Sequence, residues 1–275
     1  MSFRFHLDFI QTTFHPLTFR HHDFNMAPSF VQILSAGLLA SSFNIINLSQ
    51  VAALDPKCAP GGNFDLSHWK LQLPIGSPGK PKTISSADLQ GCNGFENFDY
   101  FFTNSKDGAL AMKVPAKSQC VTTPNSKHCR TELREANPSK WSPFNARNRL
   151  YADLVVNQND DEIVVGQIHI DDSISTKPVM ELYYNSKGEF TVGVQKCRTC
   201  NQARTGVLAK VPKGQRFHYE IRYEKNKLSV SINDSPYKEL DTFDLNGPDS
   251  YFKAGNYNQG EGPTNTHFFS IILTH

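Results

Sequence analysis

Short segments in which apolar and polar residues alternate dominate the sequence after residue 108 and limit the fold more than any other feature. A period of two is typical of strands with one face in a core, and β-branched and aromatic residues are frequent in these segments. Turn residues, such as those at 185–188 and 246–248, separate several of them at the spacing of antiparallel meanders. The predicted strands cover 109–114, 130–135, 149–156, 163–170, 179–184, 190–194, 217–223, 228–232, 251–257 and 268–273.

This succession of strands predicts one all-β domain over residues 54–275, an antiparallel β-sandwich of the jelly-roll kind with a concave groove. No linker-like stretch or internal repeat divides that region. Residues 54–100 are rich in Pro and Gly, and we expect irregular structure there. The one helix expected in this segment is short, lies near 85–89 and is capped by Ser85 or Ser86.

The N-terminal region has the pattern of a targeting segment. An apolar stretch at 30–53 ends in the small residues of 51–53, which resembles a signal-peptide core and its cleavage site. Polar residues interrupt this stretch, so it lacks the roughly eighteen continuous apolar residues of a membrane span. Because Arg20 lies far from the apolar stretch, we expect translation to start at Met26. Residues 1–53 are therefore predicted to be an N-terminal extension with a signal peptide, and the mature chain to be secreted and extracellular.

Composition and charge exclude several classes of protein. Hydrophobic residues make up 39% of the chain and mean hydropathy is -0.44, which excludes a disordered chain and a multi-span membrane protein. Lys and Arg number 28 against 26 Asp and Glu, so the net charge of +2 lacks the basic excess of a nucleic-acid-binding protein. We expect no nucleic-acid partner, no membrane association and a monomer.

All six cysteines follow the predicted cleavage site, and an even number in a secreted chain indicates disulfides. Closeness along the chain favours three pairs, Cys58 with Cys92, Cys120 with Cys129, and Cys197 with Cys200. The alternative is a zinc site whose ligands would be His128, Cys129, Cys197 and Cys200. The secreted context disfavours zinc.

Three of the predicted strands carry polar side chains along one face, because side chains alternate between the two faces of a strand. The first of these faces contains Arg130, Glu132 and Arg134, and Thr131 and Leu133 point to the opposite side. The other two faces contain Gln167 with His169, and the row Tyr251, Lys253, Gly255, Tyr257 and Gln259. Placed side by side, these strands would form a cationic, hydrogen-bonding groove.

Each of these patterns also has an ordinary structural explanation. A row of Arg and Glu is most often a solvated ladder of ion pairs, and a single His is usually structural. Alternating Tyr and Lys are common on a hydrated sheet face. It is the occurrence of all three patterns in one chain that favours a functional site.

The sequences Arg-Thr-Glu-Leu-Arg-Glu at 130–135, Gln-Ile-His at 167–169 and Tyr-Phe-Lys-Ala-Gly-Asn-Tyr-Asn-Gln at 251–259 occur in this order. Together they resemble the alginate lyases of polysaccharide lyase family seven, and the resemblance extends from residue 64 to the C-terminus. It implies a β-jelly roll whose concave face binds an acidic polysaccharide, alginate, and cleaves it by β-elimination. The six cysteines and the long N-terminus depart from most members of the family.

By motif position, the resemblance implies a catalytic set of Arg130, Gln167, His169 and Tyr257. Residues expected to bind substrate are Glu132, Arg134, Tyr251, Lys253 and Gln259. No metal is required, because Arg130 and Gln167 would neutralise the charge that calcium neutralises in some other lyases. We therefore expect no cofactor.

The predicted chemistry explains these residue types. The C5 proton of a 4-linked uronate becomes acidic once its carboxylate is neutralised, and Arg130 and Gln167 can donate hydrogen bonds to that carboxylate. His169, with an ordinary pKa near 6.5, and Tyr257 are the candidate base and acid. Tyr257 can also act as base where C5–H and O4 lie on the same side of the ring. His169 is the better base where they lie on opposite sides, and the C5 epimers mannuronate and guluronate present these two cases.

Three alternative functions remain open from the sequence. A glycoside hydrolase needs two carboxylic acids about 5 to 10 Å apart, and Glu132 has no evident partner for that role. Asp171 and Asp172, like the acidic residues at 160–162, are predicted to be solvated surface. The second alternative is a carbohydrate-binding module without turnover. The third is a lyase for another polyuronate, such as glucuronan.

Overall fold

The computed structural model describes residues 53–275, and two antiparallel β-sheets are the framework of this part of the chain. The predicted start at Met26 and the predicted signal peptide lie outside the described residues. No helix within 53–275 has the length and apolar character needed to cross a membrane.

The first sheet has nine strands. Its strands are β1 (Trp69–Ser77), β2 (Lys80–Ile84), β5 (Arg130–Glu135), β7 (Ile163–Ile170), β8 (Pro178–Tyr184), β9 (Glu189–Gln195), β10 (Gln202–Arg204), β11 (Ala209–Lys210) and β15 (Ser250–Asn258). The spatial order is β10-β9-β8-β7-β15-β5-β1-β2, with β11 beside β9. The neighbours β7, β15 and β5, which carry the three predicted polar faces, therefore lie side by side at the centre of this sheet.

The second sheet has seven strands. They are β3 (Phe101–Thr103), β4 (Leu110–Val114), β6 (Arg149–Gln158), β12 (Arg216–Glu224), β13 (Lys227–Ile232), β14 (Lys238–Leu240) and β16 (Thr264–Thr274). Their spatial order is β14-β13-β12-β6-β16-β4-β3. Helical structure in 53–275 is limited to a short α-helix and two 3₁₀ turns, at Pro60–Asn63, Lys117–Gln119 and Phe243–Leu245. The jelly-roll β-sandwich predicted from the sequence is confirmed.

All ten predicted strands are present, with small shifts at their ends. The prediction of irregular structure over 54–100 is wrong, because β1 and β2 lie there. In β1 the side chains of Trp69, Leu71 and Leu73 are buried and alternate with half-exposed ones, which is a strand pattern that the nearby Pro and Gly obscure. The short helix predicted near 85–89 is also absent, since Ser85 and Asp88 close a local turn there instead.

The hydrophobic core lies between the two sheets. Leu133, Ile168 and Phe252 point into it from the nine-stranded sheet and are fully buried. Tyr219 enters the core from β12, and its hydroxyl donates a hydrogen bond of 2.8 Å to the carbonyl oxygen of Val165 in the opposite sheet. Burying each large apolar side chain stabilises the fold by about 1.5 to 3 kcal/mol. With one face of β5, β7 and β15 held by the core, their polar side chains face away from it.

Three disulfides join loops at the margins of the sheets. The pairs are those favoured by chain proximity, Cys58–Cys92, Cys120–Cys129 and Cys197–Cys200. The pairing prediction is confirmed. All four residues of the alternative zinc site lie among the described residues, and its three cysteines are occupied in disulfides.

Replacing both cysteines of a pair by serine should lower the free energy of unfolding by an amount that increases with the logarithm of the number of residues in the closed loop. Sequence separations of 34, 9 and 3 residues correspond, in the loop-entropy account, to about 4, about 3 and about 2 kcal/mol for Cys58–Cys92, Cys120–Cys129 and Cys197–Cys200. Equilibrium denaturation of the three double variants measures this order. A larger loss from the Cys197 and Cys200 pair than from the other two would contradict it.

Candidate active site

The register of the central strands collects the predicted polar residues on one face. Tyr257 lies opposite Arg130, and Lys253 lies between Arg134 on β5 and Gln167 on β7. In the same way, Tyr251 on β15 lies beside His169 on β7. Residues that are up to 127 positions apart in sequence, Arg130 and Tyr257, thus become cross-strand neighbours. The period-two assignment of these side chains is correct.

Two irregularities shape this face. The pairing of β7 with its neighbours shifts between Val164 and Gly166, so Val165 joins the core while Val164 contacts Tyr257 on the opposite face. On β15, Gly255 has a φ of +155°, a conformation that favours glycine, and a Cβ there would lie 2.6 Å from the carbonyl oxygen of Thr131.

The carboxylate of Glu132 lies at the centre of the polar face and is only 1% exposed. Its Oε2 atom accepts hydrogen bonds from Lys253 Nζ at 2.7 Å and from Arg130 Nη1 at 3.1 Å. Its Oε1 atom accepts a hydrogen bond from the side-chain amide of Gln167. One buried carboxylate therefore orients three of the groups expected to meet a substrate carboxylate.

Opposing effects set the charge states in this cluster. Burial alone would raise the pKa of Glu132, but the positive charges of Lys253 and Arg130 outweigh it and hold the pKa below its ordinary value. For Lys253 burial dominates, and the pKa falls to about 8 although Glu132 counteracts the shift. For Arg130 burial alone would lower the pKa, but the attraction to Glu132 and smaller contributions from Tyr257 and Glu181 together raise it. At neutral pH the cluster carries two cations and one anion.

Tyr257 and Arg130 form one end of this face. The Arg130 guanidinium lies over the Tyr257 ring, with Cζ 3.7 Å from the ring centroid, which is a cation–π contact. Ser126, in the loop before β5, has its Oγ 3.1 Å from the Tyr257 hydroxyl and accepts a hydrogen bond from Arg130 Nη2 at 3.1 Å. The phenol is held by its ring and by its oxygen.

His169 and Tyr251 form the other end. The two rings stack with centroids 5.1 Å apart, and the Tyr251 hydroxyl lies 2.9 Å from His169 Nδ1. Tyr251 also donates a hydrogen bond of 2.8 Å to Asp172 Oδ1, and Asp172 pairs with Arg134 at 2.8 Å. Arg134 lies over the Tyr251 ring with Cζ 4.1 Å from its centroid. These contacts restrain the imidazole from several sides.

The surroundings of His169 define its protonation state. Nδ1 lies 2.8 Å from the carbonyl oxygen of Ile170, which can only accept, so in the neutral ring Nδ1 carries the proton and Nε2 keeps its lone pair. Burial lowers the pKa of His169 to about 4, and the Lys253 charge acts in the same direction. Near neutral pH the side chain is therefore uncharged and able to accept a proton at Nε2.

A cavity of about 690 Å³ lies over this face. Seven of the predicted site residues line it, namely Arg130, Arg134, Gln167, His169, Tyr251, Lys253 and Tyr257. Glu132 does not line the cavity but lies beneath it, bound to three residues that do. Gln259 does not line it either, since it follows the end of β15 and its amide donates to the carbonyl oxygen of Tyr257 at 3.1 Å.

The cavity also contains residues that the sequence reasoning missed. They include Gln72, Asn125, Ser126, Asp172, Glu181 and Gln202. Asp172 is exposed, as predicted, but the sequence did not reveal that it also binds Tyr251 and Arg134 at the edge of the cavity. Glu181 could have been identified by the period of two in β8, which places Glu181 and Tyr183 on the face of Gln167. For Asn125 and Ser126, which lie in a loop, no sequence signal was present.

Among residues 53–275, no group of three or more His, Cys, Asp or Glu side chains is arranged to hold a metal ion. The groups that face the cavity are Arg and Lys cations, amides, hydroxyls, phenols and one imidazole, together with the carboxylates of Asp172 and Glu181. Such a set binds carboxylates and sugar hydroxyls and can move protons.

Comparison with known proteins agrees with this geometry. Residues 64–275 match the model of the alginate lyase family. An alginate lyase of Klebsiella pneumoniae is 26% identical over 293 residues, an alignment that covers 83% of this chain and 92% of that protein.

Solved structures show the same architecture. Alginate lyase A1-II′, a member of polysaccharide lyase family 7, superposes with a TM-score of 0.67 at 29% identity and covers 79% of this chain and 98% of its own. The alginate lyase of Pseudomonas aeruginosa superposes with a TM-score of 0.64 at 30% identity, and the match covers 77% of this chain and 99% of that protein. The alginate lyase of Klebsiella pneumoniae superposes with a TM-score of 0.65 at 25% identity, and the match covers 79% of this chain and 98% of that protein.

Fold and site together define a polysaccharide lyase built on a jelly roll. The match over 212 residues, from 64 to 275, covers most of the described chain. This chain belongs to the alginate lyase family.

Replacing Glu132 by Gln should be strongly destabilising. The substitution keeps the side-chain shape but leaves Arg130 and Lys253 buried without their counter-charge, which costs about 3 to 5 kcal/mol in the free energy of unfolding. Glu261→Gln is the matched control, since it breaks an ion pair with Lys117 in which the glutamate side chain is 78% exposed, and exposed pairs contribute less than about 1 kcal/mol. Urea denaturation compares the two, and similar losses would show that Glu132 is not the electrostatic centre of the cluster.

The lyase activity should have a pH profile defined by buried groups. We expect kcat/KM to fall as pH rises through about 8, because Lys253 then loses its charge, and to fall on the acid side only near pH 4, where His169 takes up a proton. Initial rates measured across pH at constant ionic strength test this profile. Lys253→Arg keeps the positive charge at high pH and should remove the alkaline limb. An alkaline limb unchanged in that variant would assign it to another group.

Proposed function

We propose that this protein is a secreted lyase that cleaves alginate by β-elimination and leaves an unsaturated uronate at the new non-reducing end. One observation carries the proposal. The cationic cluster around Glu132 lies on the floor of a cavity whose two ends present a phenol, Tyr257, and a neutral imidazole, His169. Related structures support it, since family 7 alginate lyase A1-II′ has been solved with a product written GGG and a substrate written GGMG.

Neutralising the substrate carboxylate is the first requirement of the reaction. Arg130 and Gln167 already have fixed orientations, because each donates a hydrogen bond to Glu132. Their remaining N–H groups can donate to a carboxylate in the cavity, and Lys253 adds positive charge beside them. Because these donors are oriented before substrate arrives, little reorganisation is needed as the carboxylate gains enolate character.

Proton removal from C5 is assigned to His169 or Tyr257, according to the substrate. Nε2 of His169 has a free lone pair and serves as base where C5–H and O4 lie on opposite sides of the ring, as in guluronate. A substrate carboxylate bound near Lys253 offsets part of the positive charge that contributes to the low pKa of His169. In mannuronate, where C5–H and O4 share one side, Tyr257 serves as base.

Departure of O4 completes the elimination. The electrons of the C5–H bond form the C4–C5 double bond, the C4–O4 bond breaks, and O4 takes a proton from the Tyr257 hydroxyl. The Arg130 guanidinium over the Tyr257 ring stabilises the negative charge that the phenol acquires. Arg134, Tyr251 and Asp172 hold His169 in place. Arg134 and Tyr251 are the groups that we propose to bind adjoining sugar units.

Secretion and a monomeric state are also part of the proposal. Three disulfides within 53–275 are typical of a chain that matures in an oxidising compartment. A lyase for glucuronan and a carbohydrate-binding module without turnover are the alternatives, and a single assay distinguishes all three.

In that assay the purified protein is incubated with polymannuronate, polyguluronate and glucuronan, and ultraviolet absorbance and product mass are followed. We expect conjugated absorbance from the first two polymers, without the added mass of water. Tyr257→Phe removes only the hydroxyl and should lower kcat by about two to four orders of magnitude on both, with little change in binding. His169→Ala should impair polyguluronate cleavage more than polymannuronate cleavage.

Each failure of this assay has a distinct meaning. Saturated products that carry the mass of water would exclude elimination. Absorbance from glucuronan alone would identify glucuronan, and not alginate, as the substrate. Full activity of Tyr257→Phe would show that the Tyr257 hydroxyl is not needed for cleavage and would favour a groove that only binds polysaccharide. Equal losses on both polymers in His169→Ala would assign His169 to carboxylate neutralisation beside Gln167.

A further inference from the structure

The hydroxyl of Ser126 has four polar neighbours within hydrogen-bonding distance, one more than the three hydrogen bonds that a serine hydroxyl can make. Its Oγ lies 3.1 Å from the Tyr257 hydroxyl, 3.1 Å from Arg130 Nη2, 3.1 Å from the carbonyl oxygen of His128 and 3.2 Å from the backbone nitrogen of His128. Two of these neighbours, the Arg130 nitrogen and the His128 nitrogen, can only donate. The His128 carbonyl can only accept.

Counting protons assigns the direction of each bond. A serine hydroxyl has one hydrogen to donate and two lone pairs with which to accept. The Arg130 and His128 N–H groups fill both lone pairs, so the Tyr257 hydroxyl has no lone pair of Ser126 to which it can donate. The Ser126 hydrogen is consequently shared between two acceptors, the His128 carbonyl and the Tyr257 oxygen. The Tyr257 proton is left free for the cavity.

We propose that Ser126 is a positioning residue that stabilises the tyrosinate form of Tyr257 during elimination. This inference rests on the acid–base role proposed for Tyr257. When the Tyr257 O–H bond breaks and O4 receives the proton, the phenolate oxygen becomes a stronger acceptor than the His128 carbonyl. The Ser126 hydrogen then turns from His128 to Tyr257, and no other atom has to move. Where Tyr257 acts as base, the same hydrogen bond favours the tyrosinate that must form first.

Groups from every neighbouring element act on Tyr257. Arg130 on β5 lies over its ring at 3.7 Å and favours the phenolate, and the His128 ring lies edge-on with centroids 6.0 Å apart. Tyr183 and Val164, on β8 and β7, pack against the ring. The Tyr183 hydroxyl donates a hydrogen bond of 2.6 Å to the carboxylate of Glu181. The acidic group on that side of Tyr257 therefore already has a hydrogen-bond partner.

His128 is also adjacent to the phenol but does not replace Ser126. Burial lowers its pKa, and Lys117 and Arg130 act in the same direction, so the ring is neutral near neutral pH. Its Nδ1 atom is buried and has no hydrogen-bond partner among residues 53–275. Ser126 is therefore the residue that places an O–H within hydrogen-bonding distance of the Tyr257 oxygen.

The loop that holds Ser126 is short and closed. The disulfide Cys120–Cys129 spans it, and the backbone nitrogen of Ser126 donates to the carbonyl oxygen of Thr123 at 3.0 Å. Because Ser126 also contacts the backbone of His128, its removal could act on loop structure alone. The test must separate that effect from stabilisation of the tyrosinate.

The experiment combines Ser126→Ala with Tyr257→Phe, singly and together, on the full chain. We expect Ser126→Ala to lower kcat about 100-fold with little change in KM, since it removes one donor to a developing anion. In the Tyr257→Phe background the same change should have no further effect, because no tyrosinate forms. The titration of Tyr257, taken as the ultraviolet difference between chains with and without its hydroxyl, should move to higher pH in Ser126→Ala. Ser126→Thr keeps the hydroxyl and should retain both kcat and the titration.

Specific results would overturn the proposal. An unchanged kcat in Ser126→Ala, an unchanged tyrosinate titration, or an equal loss in the Tyr257→Phe background would assign Ser126 to loop structure alone. A loss in Ser126→Thr equal to that in Ser126→Ala would do the same. If Tyr257→Phe itself is fully active, the proposed role of Tyr257 fails instead. The two failures are therefore distinguishable.

Discussion

A single buried carboxylate, that of Glu132, is the contact on which the rest of the groove depends. Burying Arg130 and Lys253 in the floor of the cavity would be prohibitive for isolated charges, and it is the anion between them that makes their burial possible. The same carboxylate orients Gln167. Since one acid holds three donors, the cluster keeps a net positive charge and still presents unused N–H groups to the cavity. The groove is thus electrostatically complementary to a polyuronate before any polymer arrives.

The sheet makes this arrangement possible because the residues at the centre of the site all lie on neighbouring strands and not on loops. β5, β15 and β7 are neighbours whose lower faces are fixed by Leu133, Phe252 and Ile168 in the core. The core therefore sets the direction of every candidate catalytic side chain on these strands. Loops contribute at the two ends, where Ser126 meets Tyr257 and Asp172 meets Tyr251. The side chains that need the most accurate orientation are therefore on strands, which hold a site in a better defined geometry than loops do.

Local sequence was sufficient for ten of the sixteen strands in 53–275 and for the faces of their side chains, because period-two alternation depends on backbone geometry alone, but it missed six strands that are short or lie among Pro and Gly. It failed where a contact depends on distant parts of the chain. Asp172 was expected to be solvated because nothing in its neighbourhood reveals that Tyr251 and Arg134 lie within reach. Gln259 continues the alternation of β15 in sequence, but the strand ends one residue earlier and its side chain turns to the backbone. Val164 occupies the groove face because a bulge resets the alternation, which no count of residues reveals.

The Cys120–Cys129 ring has a consequence beyond the stability of the loop. Ser126 lies inside this ring, and Tyr257 contacts it from the sheet. Closure of this ring restrains the backbone on both sides of Ser126, whereas the strands that carry Arg130, Gln167 and Lys253 are held by the core. Under the positioning role proposed for Ser126, reduction of this one disulfide would therefore loosen the contact with the Tyr257 hydroxyl and leave the Glu132 cluster in place.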